Sequence, residues 1–272
     1  MEFDSSSEES EPVERYKFTI SYKGTAFSGF QRQGKTRTVQ LVFEDALRRL
    51  GWKEESITGA GRTDSGVHAA GQVVSAALSW RHSEEQLRNA LNAALPADLS
   101  VISVEKAAPD FHARYDALSR TYHYHLYFSP ARQPLRDEFA WRIWPRLDTE
   151  DLNRISRHFV GIHDFRAFGS PPRKNHSTVR EVFTNGWWMD SDDSCCFEIE
   201  ANAFLYHMVR RIVFLQTACA QGSVSEEDII RAVRDGIDAK PGLAPACGLQ
   251  LWQVKYPAPG DDREKRIYKW RE

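Results

Sequence analysis

The chain has little cysteine, no long apolar run and almost no net charge, and each shortage removes a class of protein. Four cysteines in 272 residues, none in a C-x-x-C pair, make neither a disulfide framework nor a zinc ribbon. Cys195 and Cys196 are neighbours, so on a strand they point to opposite faces and cannot jointly grip a metal. These two, with Cys219 and Cys247, are expected to be reduced thiols, mostly buried. No stretch approaches the roughly 20 apolar residues that cross a bilayer as a helix, so no membrane partner is expected. H-E-x-x-H and histidine–carboxylate spacings are missing too, and no metal is expected.

The net charge of −2 speaks weakly against a nucleic-acid partner, but the total hides an uneven distribution. Residues 1–15 are rich in Ser and Glu and hold six acids and one arginine. The remainder carries 35 basic against 32 acidic residues, so any RNA surface must be a local patch. That acidic start is expected to be disordered. It is the opposite of a basic signal or transit peptide, which makes a cytoplasmic address the default expectation. Residues 258–272 form a basic tail in which Tyr268 and Trp270 interleave with Arg and Lys; a frayed terminus is expected.

Between the tails, periodicity alternates. Phe18, Ile20 and Tyr22 mark one face of a strand over 16–22. Thr38 caps a helix on which Val39, Val42, Phe43, Ala46, Leu47 and Leu50 follow the 3.6 period up to Gly51. A strand over 71–80, a helix opened by the Ser83/Gln86 capping box and a strand over 99–104 complete a first half, 16–112. A second half, 116–257, repeats the theme with strands over 120–128, 179–189, 196–201 and 249–256. Its helices are expected over 149–161, 204–221 and 225–236. Alternation of this kind predicts an α+β protein of sheets layered with helices.

The most unusual stretch is Gly59-Ala-Gly-Arg-Thr-Asp-Ser-Gly-Val-His68, in which three glycines frame Arg62 and Asp64. It is neither G-x-G-x-x-G nor a phosphate loop, and by local composition alone it reads as a polar surface turn. A second feature is Arg210. It is expected on a helix that is apolar nearly all round and therefore buried, where an arginine requires an acidic partner. Arg211 is the neighbour most easily confused with it.

Gly61-Arg-Thr-Asp-Ser-Gly-Val-His68 resembles the signature of the bacterial tRNA pseudouridine synthase A family, with Ser65 where Ala is usual. Further landmarks follow in order: Tyr22-Lys-Gly24, Gly29, Gln31, Gln33 and Thr38-Val-Gln40, then Asn92, Leu95-Pro96 and Asp98. After them come Phe111-His-Ala-Arg114, Tyr122, His207-Met-Val-Arg210 and Ala244-Pro-Ala-Cys-Gly248-Leu249. The resemblance runs from about residue 16 to 257; Lys23, where an acid is usual, is a second departure.

The resemblance implies two ferredoxin-like or RNA-recognition-like halves whose sheets flank a central RNA-binding cleft. It implies conversion of uridine to pseudouridine in tRNA, at positions 38–40 of the anticodon stem-loop, by a homodimer without a cofactor. Asp64 would be the catalytic carboxylate, with Tyr122 and Arg210 completing the site. Arg62, Thr63, His68, Gln31 and Arg114 would meet the substrate. Tyr122 shares a strand face with Tyr124 and Leu126, whereas His123, His125 and Tyr127 share the other. The alternatives are a non-catalytic tRNA-binding or chaperone protein on the same scaffold, and a metal-assisted hydrolase using Asp64 and His68.

Overall fold

The computed structural model describes residues 12–171 and 176–258. The expected disorder of the acidic start, up to residue 11, and the expected fraying of the basic tail from 259 lie outside the described residues. Residues 13–15, expected as part of that tail, are strand: β1 runs Val13–Tyr22, held between two neighbours. Its alternation places Tyr16, Phe18, Ile20 and Tyr22 in the core. Burying each such side chain is worth roughly 1.5–3 kcal/mol.

Capping chemistry sets the helix starts. Thr38 Oγ1 accepts from Leu41 N to open α1 (Val39–Arg49), and Ser83 with Gln86 forms the expected capping box of α2 (Glu84–Ala94). Between them lie the two-residue β2 (Thr58–Gly59) and the long β3 (His68–Ser79), and β4 (Leu99–Lys106) ends the first half. The second half opens with β5 (Ser119–Phe128), a four-residue α3 (Pro134–Asp137), β6 (Trp141–Ile143) and α4 (Thr149–Ser156). It continues through β7 (Gly161–Asp164), β8 (Val179–Ser191) and β9 (Ser194–Ala201). It closes with α5 (Met208–Ala220), α6 (Glu226–Asp235) and β10 (Leu249–Lys255).

The described residues thus form a mixed α/β structure of ten strands and six helices. The sheets of the two expected halves are joined into one continuous sheet in the order β4-β1-β3-β10-β5-β9-β8-β7, with β2 on β3 and β6 on β5. The join is a short parallel pairing in which Gln250 faces His68 and Leu251 faces Ala69. On its other side β10 runs antiparallel to β5, with Leu251 opposite Tyr122. Helices α1 and α5 pack on one face. Phe43 of α1 packs edge-on to Phe18, and Gln216 of α5 accepts from the Trp187 indole on β8. Among the described residues no helix is long and apolar enough to cross a membrane.

One helix starts later than its sequence suggests. Residues 204–207 carry apolar side chains at helical spacing, yet Tyr206 and Ser170 exchange backbone hydrogen bonds, and His207 is left-handed at φ 69°. These restraints delay α5 to Met208, and Phe204 packs from the preceding loop rather than from a helix turn.

Candidate active site

The loop between β2 and β3 carries Asp64, and the chain folds it tightly against the loop after β1. Phe30 N donates to Thr63 O at 3.0 Å. Gly29 sits at φ +84°, and a Cβ there would stand 2.9 Å from Thr63 O; at Gly24 it would stand 2.0 Å from Val67 O. Only glycine allows these backbones to approach so closely. Thr63 Oγ1 and the Tyr22 hydroxyl lie 2.8 Å apart in the core, and Ser65 Oγ donates to Phe27 O. The result is a pinned loop with Asp64 near its apex.

Asp64 meets the second half of the chain at Arg210 in the first turn of α5. Arg210 Nη1 donates to Asp64 Oδ2 at 2.7 Å, and its Nε donates to Ala244 O at 2.8 Å. Both side chains are mostly buried, 14% exposed for the arginine and 17% for the aspartate. Arg211 instead donates to Lys240 O and Gly242 O. Of the two neighbouring arginines, Arg210 is the one that meets Asp64.

Tyr122 lies on the helix-covered face of β5, T-shaped against Phe204 at 5.0 Å between ring centroids. A Cβ on Gly61, three residues before Asp64, would come 3.9 Å from its hydroxyl. Burial is the main cause of a raised Tyr122 pKa, with Tyr22 and then Asp64 adding to it, while Arg120 lowers it. Burial also pushes the Tyr22 phenol up to about 12. Both phenols are neutral near pH 7 and available as donors.

The proposed substrate residues separate into two groups. Arg62, Gln31 and Arg114 are exposed. Arg62 and Gln31 flank the loop contact described above. Arg114 lies in the link between halves, with its guanidinium 5.8 Å from the Tyr115 ring. Thr63 and His68 are buried and turned inward. His68 Nδ1 accepts from Gly24 N at 3.1 Å, and Nε2 lies 3.2 Å from Glu138 O, so a neutral imidazole donates there. Because His68 pairs with Gln250 and Ala69 with Leu251, His68 stands on the opposite sheet face from Tyr122. It lines a cavity of about 530 Å³ on that face, with Phe139, Cys247 and Gln250; Asp64, Tyr122 and Arg210 are not in its lining.

Two further residues at the site were given no role by the sequence. His207 Nε2 lies 3.5 Å from Asp64 Oδ2, its ring stacked on exposed Tyr206; burial, the largest influence, lowers its pKa. Arg120 is 8% exposed, and its guanidinium donates to Ala60 O, Arg114 O, Ala117 O and Asn202 O. It fastens the start of the Asp64 loop to the link between halves and to the end of β9. Cys195, Cys196, Cys219 and Cys247 are free, the first two buried.

Comparison with known proteins identifies the family of the chain. A family model described as tRNA pseudouridine synthase matches residues 19–116 and 155–257. A tRNA pseudouridine synthase A from Listeria monocytogenes serotype 4a is 36% identical over 245 residues, covering 89% of this chain and 99% of that protein. Its namesake from Streptococcus pneumoniae serotype 19F is 39% identical over 247 residues, 89% and 98% of the two chains. That of Methylacidiphilum infernorum is 37% identical over 249 residues, 89% and 95%. Matched over most of its length, the chain belongs to the tRNA pseudouridine synthase family, isomerases that convert uridine to pseudouridine in tRNA.

Proposed function

We propose that this chain isomerises uridine to pseudouridine at positions 38–40 of the tRNA anticodon stem-loop, with Asp64 as the catalytic carboxylate. The observation that carries this reading is the Asp64–Arg210 pair, which holds a carboxylate on the loop whose Gly61 lies against the Tyr122 hydroxyl. The reaction breaks the N1–C1′ bond, turns the base and joins C5 to C1′, while a proton leaves C5 and one is gained at N1. Atoms and electrons balance within the nucleoside, so the protein needs only to bind, split and re-form. An ionised carboxylate can divide such a displacement into easier steps. Tyr122 offers a ring to stack on and a phenol to move protons.

The uridine must leave its stem first, at a cost of a few kcal/mol. Exposed Arg62, two residues before Asp64, is placed to steer the backbone and fill the vacated stack. Gln31 and Arg114 extend a polar rim on either side, and Thr63 and His68 hold the loop from within. The RNA lies in a cleft between two ferredoxin-like halves. Supporting that division, the first half runs βαββαβ, and the second contains the same order as β5-α4-β8-β9-α5-β10, with α3, β6, β7 and α6 added; the local strand orders are β4-β1-β3-β2 and β10-β5-β9-β8, and the link falls near residues 107–118. The enzyme acts in the cytoplasm as a homodimer, without a small-molecule cofactor.

The test is to map modified uridines after incubating the protein with bulk tRNA that lacks these modifications. Modification confined to positions 38–40, lost in Asp64→Ala while tRNA affinity stays within about tenfold, is expected. Turnover persisting in Asp64→Ala rejects the catalytic assignment. Binding by the wild type without product supports the non-catalytic alternative. The expected rate loss exceeds about 10⁴-fold, the scale seen when an essential nucleophile is removed.

A further inference from the structure

His123 and His125 lie on β5 and Cys196 on β9, and the register places His125 directly opposite Cys196 and His123 opposite Glu198. All three project from the sheet face opposite Tyr122. One ring nitrogen from each histidine and the cysteine sulfur lie within 4.8 Å of one another. We propose that His123, His125 and Cys196 form a binding site for one four-coordinate transition-metal ion of the zinc class.

The geometry is close to that of a filled site. Zinc takes sulfur at about 2.3 Å and imidazole nitrogen at about 2.0–2.1 Å, so tetrahedral ligand atoms stand roughly 3.3–3.6 Å apart. Side-chain shifts of about 1 Å on a paired, rigid strand ladder close the difference. The surroundings suit a metal ligand set as well. Glu198 Oε2 lies 2.9 Å from His123 Nε2, and an ionised carboxylate only accepts. That nitrogen therefore carries the proton, and the other ring nitrogen keeps a lone pair, as in a carboxylate–histidine–metal arrangement.

Trp252 stacks on the His123 ring at 4.5 Å and 13°, and Trp188 meets it edge-on at 5.5 Å, giving the site apolar walls. His125 and Asp190 line the cavity of about 530 Å³ on this face, which provides an entry path. The fourth position is left to water or to Asp190, whose Oδ2 is 3.9 Å from His125 Nδ1. Imidazole and thiolate together favour zinc or cobalt over the oxygen-seeking magnesium and calcium. The bound ion would brace β5 from behind, one residue from Tyr122. Its role is structural.

The experiment titrates Co²⁺ into the metal-stripped full-length protein under reducing conditions. One equivalent is expected to produce a near-ultraviolet thiolate-to-cobalt charge-transfer band and the strong visible bands of four-coordinate cobalt, both abolished by added Zn²⁺. Cys196→Ser should lose the charge-transfer band, and His125→Gln should weaken binding at least about tenfold. Cys219→Ser, remote from the cluster, should change neither. Circular dichroism checks that Cys196→Ser folds. Should it not, His125→Gln, a change at a half-buried side chain, decides alone. No thiolate band at saturating cobalt, a band lost in Cys219→Ser, or one indifferent to the His125 and Cys196 changes would overturn the proposal.

Discussion

Arg210 Nη1 stands 2.7 Å from Asp64 Oδ2, although 146 positions of chain separate the two residues. The contact is the charged link between the two halves at the site, and it ties the orientation of one carboxylate to the packing of α5. Because both groups are largely withdrawn from water, neither is readily left alone.

Arg210→Ala is therefore expected to lose activity and about 1–3 kcal/mol of stability, less than a fully buried pair would cost. Urea unfolding and single-turnover modification of a tRNA transcript measure the two effects. Arg210→Lys should regain part of the stability but little of the rate, since lysine cannot reach Asp64 and Ala244 in one planar fork. A fully stable and active Arg210→Ala variant would show that this arginine serves neither purpose.

Tyr122→Phe separates ring from hydroxyl. The ring keeps its packing against Phe204, so stability should change by no more than about 1 kcal/mol. If the phenol moves a proton, the chemical step slows by about 10²–10⁴-fold with tRNA affinity unchanged. A variant that modifies tRNA at the parental rate would reduce Tyr122 to a stacking platform.

Among the described residues, Arg120 has only backbone oxygens as hydrogen-bond acceptors, at residues 60, 114, 117 and 202. Arg120→Met removes every donor from that group of carbonyls and is expected to cost about 2–4 kcal/mol. Thermal or urea melts read this directly. Loss of activity should accompany it, because Ala60 leads into the Asp64 loop. Melts matching the parent would mean that water satisfies those oxygens.

His68 predicts a pH dependence whose sign follows from burial. Burial is the main cause of a pKa below the ordinary 6.5, and Nδ1 already accepts from Gly24 N. The unfolded chain thus binds a proton more readily than the folded one. The stability contributed by neutral His68 is complete above about 6.5 and is lost as the pH falls through the lowered folded value. Urea unfolding at about pH 7.5 and about pH 5.5 should show a steeper decline for the parent than for His68→Asn. His125 and His207 shift in the same direction, mainly through burial, in both proteins, so the difference isolates His68. Equal slopes would refute the assignment.

What the sequence disclosed follows from how local each signal is. Thr38, and Ser83 with Gln86, announce helix starts through bonds spanning three residues, and the structure contains both. β2, β6 and β7 are two to four residues long and owe their existence to a partner strand, so no periodicity betrays them. The Asp64–Arg210 pair was legible because a cation on an apolar helix must find an anion. Arg120 was not, since backbone carbonyls exist at every position and single out none. His207 was hidden as well; nothing in its neighbours marks a left-handed residue. The His123–His125–Cys196 group emerges only once the β5–β9 register is known.

The placement of β10 has a consequence for synthesis. It is the last of the described strands to leave the ribosome, yet it occupies the middle of the sheet, between β3 and β5. Until Leu249–Lys255 has emerged, the two halves share no hydrogen-bonded edge, and Tyr122 lacks its neighbour Leu251. A nascent chain can therefore hold Asp64, Tyr122 and Arg210 before the strand that joins their two halves has been threaded into its gap.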